Sequence, residues 1–268
     1  AAKAMRALFD TDFLLEREHT VQAAALARAH RFEFFGHEFQ YGADIDWHAD
    51  PVTKSRWPAV FHADVPIHGG DTGFGDVKHV WELSRQQYLI DLGKAYFVTG
   101  ARENVDEIEH LVRGWIRGNP YACGVNWSCA LEPAFRAWSW LWAYHLTVDA
   151  LPPEFHLEWL HGFYDHGRFL AQHLEHYTSP YNHLIGEASA LYALGLAFPE
   201  LRDASSWAKL GRSVLERRLG EQFYGDGGSV EQSTFYHHAT VGFYLLAGQM
   251  ARVNNDSLEP AVWSAIEN

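Results

Sequence analysis

Ser179-Pro180-Tyr181-Asn182-His183-Leu184-Ile185-Gly186-Glu187 is the stretch on which the reading of the fold turns. Pro180 fixes an extended entry, and the residue before it is pushed out of helical φ/ψ. Asn182 is a good helix N-cap. After it Leu184, Ile185, Ala188, Leu191, Tyr192, Gly195 and Leu196 are apolar at helical spacing. The spacing therefore predicts a helix from Asn182 to the neighbourhood of Pro199, with Asn182 and His183 at its positive end. Backbone N–H groups and the helix dipole favour an anion there. A capped helix with a satisfied histidine explains the same residues without any ligand.

A second stretch is Gly225-Asp226-Gly227-Gly228-Ser229-Val230-Glu231-Gln232-Ser233-Thr234-Phe235-Tyr236-His237-His238. A glycine-rich turn feeds a polar run and then a helix rich in Tyr and His.

Working outward, helical periodicity accounts for most of the chain. Residues 4–31 read as one or two helices. Val77 to Thr99 reads as one helix stopped by Gly100, and Glu103 to Arg117 as another. Further helices are expected over Ser128–Leu146, from Pro153 to about His176, over Ala204–Phe223, over Thr234–Val253 and from Pro260 onward. Gly36 to Gly75 breaks the pattern. It reads as a long irregular loop, with Trp47, His48 and Trp57 as candidate borders of a cleft. No strand-like alternation with hairpin turns stands out. Periodicity gives a large all-α domain. The helix pairs recur about every fifty residues and suggest antiparallel helical hairpins side by side, an incomplete (α/α) toroid. Residues 1–75 are expected to pack on it and 76–268 to form it.

The totals narrow the classes. The chain has 268 residues, 47% of them hydrophobic and 15% aromatic, with eleven Trp. That is the content of an ordered globular protein. A net charge of −13 lacks the basic balance of a nucleic-acid binder. It also argues mildly against a polyanionic ligand, softened by seventeen His that bring the balance to +4 when all are protonated. No apolar run approaches the length of a membrane span, and the first residues do not read as a signal peptide. Cys123 and Cys129 are the only cysteines, and either a local disulfide or two packed thiols fits them.

Together the two stretches resemble the heparinase II/III-like polysaccharide lyases. In that family an Asn at a helix start, often in an Asn-His pair, faces one cleft with a Tyr from a Glu-Gln-Ser-x-x-Tyr-His run. Trp81-Glu82-Leu83-Ser84-Arg85, Gly124-Val125-Asn126-Trp127, and Glu132 with Arg136 extend the resemblance, which runs from roughly residue 20 to residue 250. It implies an α/α toroid and a further C-terminal β-rich domain, absent from this sequence. It also implies β-elimination on a uronic-acid-containing polysaccharide, such as a glycosaminoglycan or alginate, without a cofactor or metal. A periplasmic or secreted location goes with that activity.

Such a lyase removes the C5 proton of a uronate and expels the C4 oxygen. The uronate carboxylate must be neutralised so that the developing enolate is stabilised, and the reaction needs a base at C5 and an acid at O4. The resemblance assigns carboxylate neutralisation to Asn182 and acid or acid/base duty to Tyr236. His183 is a candidate to help hold the carboxylate. Glu187, four residues after His183, is placed to orient it. Glu231 and Gln232 lie one turn before Tyr236 and are candidates to bond its hydroxyl or a sugar. His237 points about 100° away from Tyr236 on a helix. Trp127 is a candidate stacking face, and Glu132 with Arg136 is either an i, i+4 ion pair or a substrate contact. Two other readings compete. One is a glycoside hydrolase using paired carboxylates among Asp226, Glu231, Glu187 and Glu132. The other is a non-catalytic glycan-binding fragment, weak or inactive without the β-rich domain. A zinc site from His183, Glu187, His237 and His238 lacks a metal-binding signature.

Overall fold

The computed structural model describes residues 2–67 and 73–267, so five residues of the loop expected over 36–75 lie outside the described residues. The helices are α1 (Ala2–Thr11), α2 (Leu14–Arg28), α3 (Val77–Arg85), α4 (Tyr88–Thr99), α5 (Glu103–Gly118), α6 (Leu131–Thr147), α7 (Pro153–His173), α8 (Asn182–Ala197), α9 (Ala204–Gln222), α10 (Thr234–Val253) and α11 (Pro260–Glu267). One hairpin, β1 (Arg31–Phe34) with β2 (His37–Gln40), interrupts them. The described residues fall into two compact units, Ala1–Glu132 with Trp138–Gly162, and Pro133–Ala137 with Phe163–Asn268.

Two expectations change here. The hairpin occupies part of the stretch read as irregular. Phe32 pairs with Phe39 in antiparallel register, and Phe35 and Gly36 take φ of 53° and 75° at its turn. Positive φ at both central residues is the geometry that matches strand twist in a two-residue hairpin. Its signal was the alternation Phe32, Phe34 around Phe35-Gly36, four residues a side. The helix expected over Val77–Thr99 is two helices, because Gln86 turns left-handed at φ 53°. That break aims the buried Gln86 amide inward, where it accepts from Trp140 Nε1 at 2.6 Å.

In the first unit α2 packs on α4, α4 on α5, and β1 on α2 and α3. Its core is aromatic. Trp115 meets Trp127 and Trp140 at ring separations of 5.8 and 5.6 Å, and Trp140 meets Trp159 at 6.1 Å. Trp47, His48 and Trp57 are all buried, and of the three Trp47 lines a small cavity beside Ala43, His110 and Arg117. Trp47 lies over Gly118, and His48 Nε2 bonds the Gly118 carbonyl at 3.0 Å. Cys123 and Cys129 are unbridged.

In the second unit α8 packs against α9 and α10. Thirteen of its sixteen residues are buried, so it is a helix apolar on every side rather than an amphipathic one. Two glycines make the crossing with α9 close. A Cβ on Gly195 would lie 2.5 Å from the Ala204 carbonyl oxygen, and one on Gly211 2.6 Å from that of Ala188. Among these apolar residues α8 carries one carboxylate, Glu187, which is fully buried. Glu187 Oε2 accepts the Glu175 backbone N–H at 2.8 Å, and Oε1 has no partner among the described residues. Burial, with a smaller push from the Glu175 charge, raises its pKa well above the ordinary glutamate value near 4.5.

Gly211→Ala puts a methyl group against backbone and is expected to cost about 1–3 kcal/mol, which for a chain of this size lowers Tm by roughly 2–4 °C per kcal/mol. Gly220→Ala, on the same helix with open space around the new Cβ, is expected to raise stability by up to about 1 kcal/mol. Calorimetry of both variants reads the two signs. For Glu187 the folded state holds its proton more tightly than the unfolded state. Its contribution is therefore fully present below the unfolded pKa and is lost as pH rises towards the folded one. The Tm of Glu187→Gln relative to the parent is expected to become more positive between pH 4.5 and pH 8, measured by calorimetry across that range.

Candidate functional site

The site is built at the start of α8, from one helix terminus and two loops of the second unit. The turn at 224–228 shapes the first loop. Gly227 takes φ 85°, Asp226 Oδ1 accepts the Gly228 N–H at 3.0 Å, and the Tyr224 N–H donates to the Gly228 carbonyl at 2.8 Å. Phe223 and Ser229 pair as an isolated antiparallel bridge, and the Val230 N–H donates to Gln222 O at 3.0 Å. This fold-back delivers Glu231 to the α8 terminus. Gln222 Nε2 meanwhile donates to Pro180 O at 3.1 Å and so ties the end of α9 to the entry of α8.

Glu231 then binds Asn182 twice. Asn182 Nδ2 donates to Oε1 at 2.7 Å and the Asn182 backbone N–H to Oε2 at 3.2 Å. This corrects the N-cap assignment. Tyr181 is the N-cap position, without a side-chain cap bond, and Asn182 is the first helical residue. The cap comes instead from the Glu231 carboxylate, an anion at the positive end of a helix. Glu231 is thus not a partner of the Tyr236 hydroxyl but the residue that holds the Asn182 amide. Gln232, at φ 53°, donates Nε2 to Tyr224 Oη at 3.2 Å.

His183 is oriented by Glu175, not by Glu187. Its Nδ1 lies 3.2 Å from Glu175 Oε2, and Thr178 Oγ1 donates to the same oxygen at 3.3 Å. His183 stands in the first turn with its side chain partly exposed, whereas Glu187 one turn later faces the packed interior. Glu187 still supports the arrangement, since it accepts the N–H of Glu175 itself. Glu175 was missed in the sequence because it reaches His183 through an irregular loop, which periodicity cannot place.

Tyr236 lies in the first turn of α10, where Ser233 caps the helix by accepting the Tyr236 N–H at 3.4 Å. Its side chain is 44% exposed. Five residues separate it from Glu231, a span of at most about 17 Å, so the Glu231–Asn182 bond keeps the two motifs in one neighbourhood. His237 turns away as the helical 100° step requires. It is half-buried edge-on to Phe223 at 6.1 Å, and its Nδ1 has no partner among the described residues.

The remaining candidates are interior. Trp127 is 1% exposed and packs between Trp115 and Tyr121, so it offers no open stacking face. Glu132, also 1% exposed, takes both nitrogens of an Arg85 fork at 2.8 Å. Arg136 is fully buried, and its Nε donates to His166 Nε2 at 2.8 Å. The pairs Glu132–Arg85 and Arg136–His166 satisfy groups that are expensive to bury unpaired.

Residues 8–265 match the family model described as Heparinase II/III N-terminus. The chain is 28% identical over 261 residues to a heparin-sulfate lyase of Pedobacter heparinus, covering 93% of this chain and 36% of that protein. It is 28% identical over 245 residues to a heparin-sulfate lyase of Bacteroides stercoris, covering 81% of this chain and 33% of that one. The crystal structure of heparan sulfate lyase HepC from Pedobacter heparinus superposes with a TM-score of 0.72 at 26% identity, over 92% of this chain and 37% of that chain. The chain thus spans about a third of the length of the curated relatives it matches. Its fold class is the all-α, α/α-toroid class expected from the helical hairpins. Over nearly its whole length the chain belongs to the Heparinase II/III N-terminus family.

Proposed function

We propose that this chain is the helical part of a polysaccharide lyase that cleaves a uronate-containing glycosaminoglycan by β-elimination. The observation that carries the reading is the Glu231 carboxylate holding Asn182 at the α8 terminus, five residues before Tyr236. An amide nitrogen has two hydrogens. One is given to Glu231, and the other is left to donate to the uronate carboxylate. The α8 N–H groups add positive potential there. His183, oriented by Glu175, sits beside that position as a second donor.

With the carboxylate neutralised, the C5 proton is removed and its bonding pair forms the C4–C5 double bond. The C4–O bond breaks, its pair leaves with the glycosidic oxygen, and an acid protonates that oxygen. Tyr236 is assigned this acid or acid/base role because its exposed phenol follows the residue that fixes Asn182. The relatives carry a longer chain, so the second proton-transfer group and the other wall of the site are assigned to a C-terminal β-rich domain. Turnover is expected from the longer protein, and these 268 residues alone are expected to be weak or inactive. The names of the relatives make heparin or heparan sulfate the first polymer to test.

The hydrolase reading is weaker, because three of its four carboxylates already have structural employment. Glu132 and Glu187 are buried, and Glu231 holds Asn182.

Tyr236→Phe in the longer protein is expected to lower kcat by about 10²–10⁴-fold with Tm unchanged. The reading is followed by ultraviolet absorbance of the unsaturated uronate product, which hydrolysis does not form. Near-normal turnover in that variant removes Tyr236 from the mechanism. Glu231→Ala frees the Asn182 amide and is expected to cost about 10²-fold in kcat through misplacement. KM and Tm measured alongside separate that loss from unfolding.

A further inference from the structure

Away from α8, three side chains of the first unit converge in a way that no part of the lyase reading uses. His30 lies between α2 and β1 at φ 51°, a left-handed position that histidine adopts more readily than most residues. Its ring faces α5, where Glu107 and His110 stand one turn apart, an i, i+3 pair on one helix face. His30 Nε2 is 2.7 Å from Glu107 Oε1. The His30 and His110 rings lie 5.7 Å apart with planes 10° from parallel. One nitrogen of each histidine and one oxygen of Glu107 all fall within 4.8 Å of one another.

The other nitrogen of each ring is held by the backbone. His30 Nδ1 bonds the Gly42 carbonyl at 2.7 Å, and His110 Nε2 bonds the Ala43 carbonyl at 3.0 Å. A carbonyl only accepts, so each of these nitrogens carries the proton. Two consecutive carbonyls of one segment therefore hold both rings, and His30 Nε2, 2.7 Å from a Glu107 oxygen that also only accepts, carries a proton that a bound cation would displace. Metal-binding histidines are held in this manner, with the distal N–H given to a backbone carbonyl.

We propose that His30, Glu107 and His110 bind a divalent transition-metal cation of the zinc type. Two imidazoles and a carboxylate suit such an ion, and three protein ligands leave a position for water. Metal–ligand distances near 2.0–2.2 Å ask the donor atoms to sit roughly 3.3 Å apart. The exposed His110 closes the remaining gap by turning its ring, while His30 is buried and Glu107 mostly so. A cavity of about 180 Å³, lined in part by Ala43, His110, Gly114 and Arg117, gives solvent a way in. The bound ion joins the end of α2, the segment after β2 and the middle of α5.

The test uses the protein stripped with a chelator and titrated with ZnCl₂, read by calorimetry and by Tm. The d–d spectrum of Co²⁺ reports ligand type. One tight equivalent is expected, with a Tm rise of several degrees. His110→Ala removes an exposed side chain, and its fold is checked by circular dichroism of the stripped form. It is expected to weaken zinc by at least about tenfold and to abolish the Tm rise, and Glu107→Gln is expected to do the same. No zinc-dependent Tm rise in the parent, or a rise and affinity unchanged in both variants, overturns the proposal. The second result places the zinc on other histidines or the cysteines.

Discussion

Gly195 and Gly211 let the backbones of α8 and α9 touch, and much of the second unit depends on that contact. Each glycine faces backbone atoms of the other helix, with no room for a methyl group on either side. A helix so tightly crossed and buried on almost every face cannot slide or roll without losing packing along its length. Its first turn is therefore a fixed point. Asn182 and His183 owe their placement to glycines a full helix away as much as to their immediate neighbours.

Around that fixed terminus the polar groups form two short chains of support. Glu231 reaches Asn182 through a glycine turn that folds the segment after α9 back on itself. Glu175 reaches His183, and Glu187 holds the backbone of Glu175 from beneath. Asn182 and His183 are thus both oriented by carboxylates. A carboxylate fixes its partner through charge-assisted bonds, but it also adds negative charge where the proposed substrate is itself an anion. The amide and the helix N–H groups must outweigh that repulsion, so the geometry of Asn182 matters more than the net charge of the site.

Much of this was legible in the residues. The helix from Asn182 was written in its apolar spacing, and the helix expected over Thr234–Val253 has those bounds. What escaped was set by tertiary contacts. Gln86 breaks an otherwise continuous helical pattern because its amide is needed by Trp140, a partner 54 positions away. The four-residue strands around Phe35-Gly36 are too short for alternation to stand out against aromatic-rich surroundings. Glu132 sits four residues before Arg136 on one helix, yet the bidentate fork it receives comes from Arg85. Spacing along a helix names the residues that share a face, and says nothing of what the opposing element brings to it. The tryptophans teach the same point, since Trp127 was a candidate stacking face and, like most of the others, fills interior space.

That distribution has an optical consequence. Eight of the eleven tryptophans are buried and only Trp142 is strongly exposed. The native emission should therefore be blue-shifted and poorly accessible to a collisional quencher such as iodide. Because Trp115, Trp127, Trp140 and Trp159 form one connected chain of rings in the first unit, excitation energy can pass along them. Fluorescence then reports mainly on the integrity of that unit, while the residues around Asn182 need a label of their own to be seen.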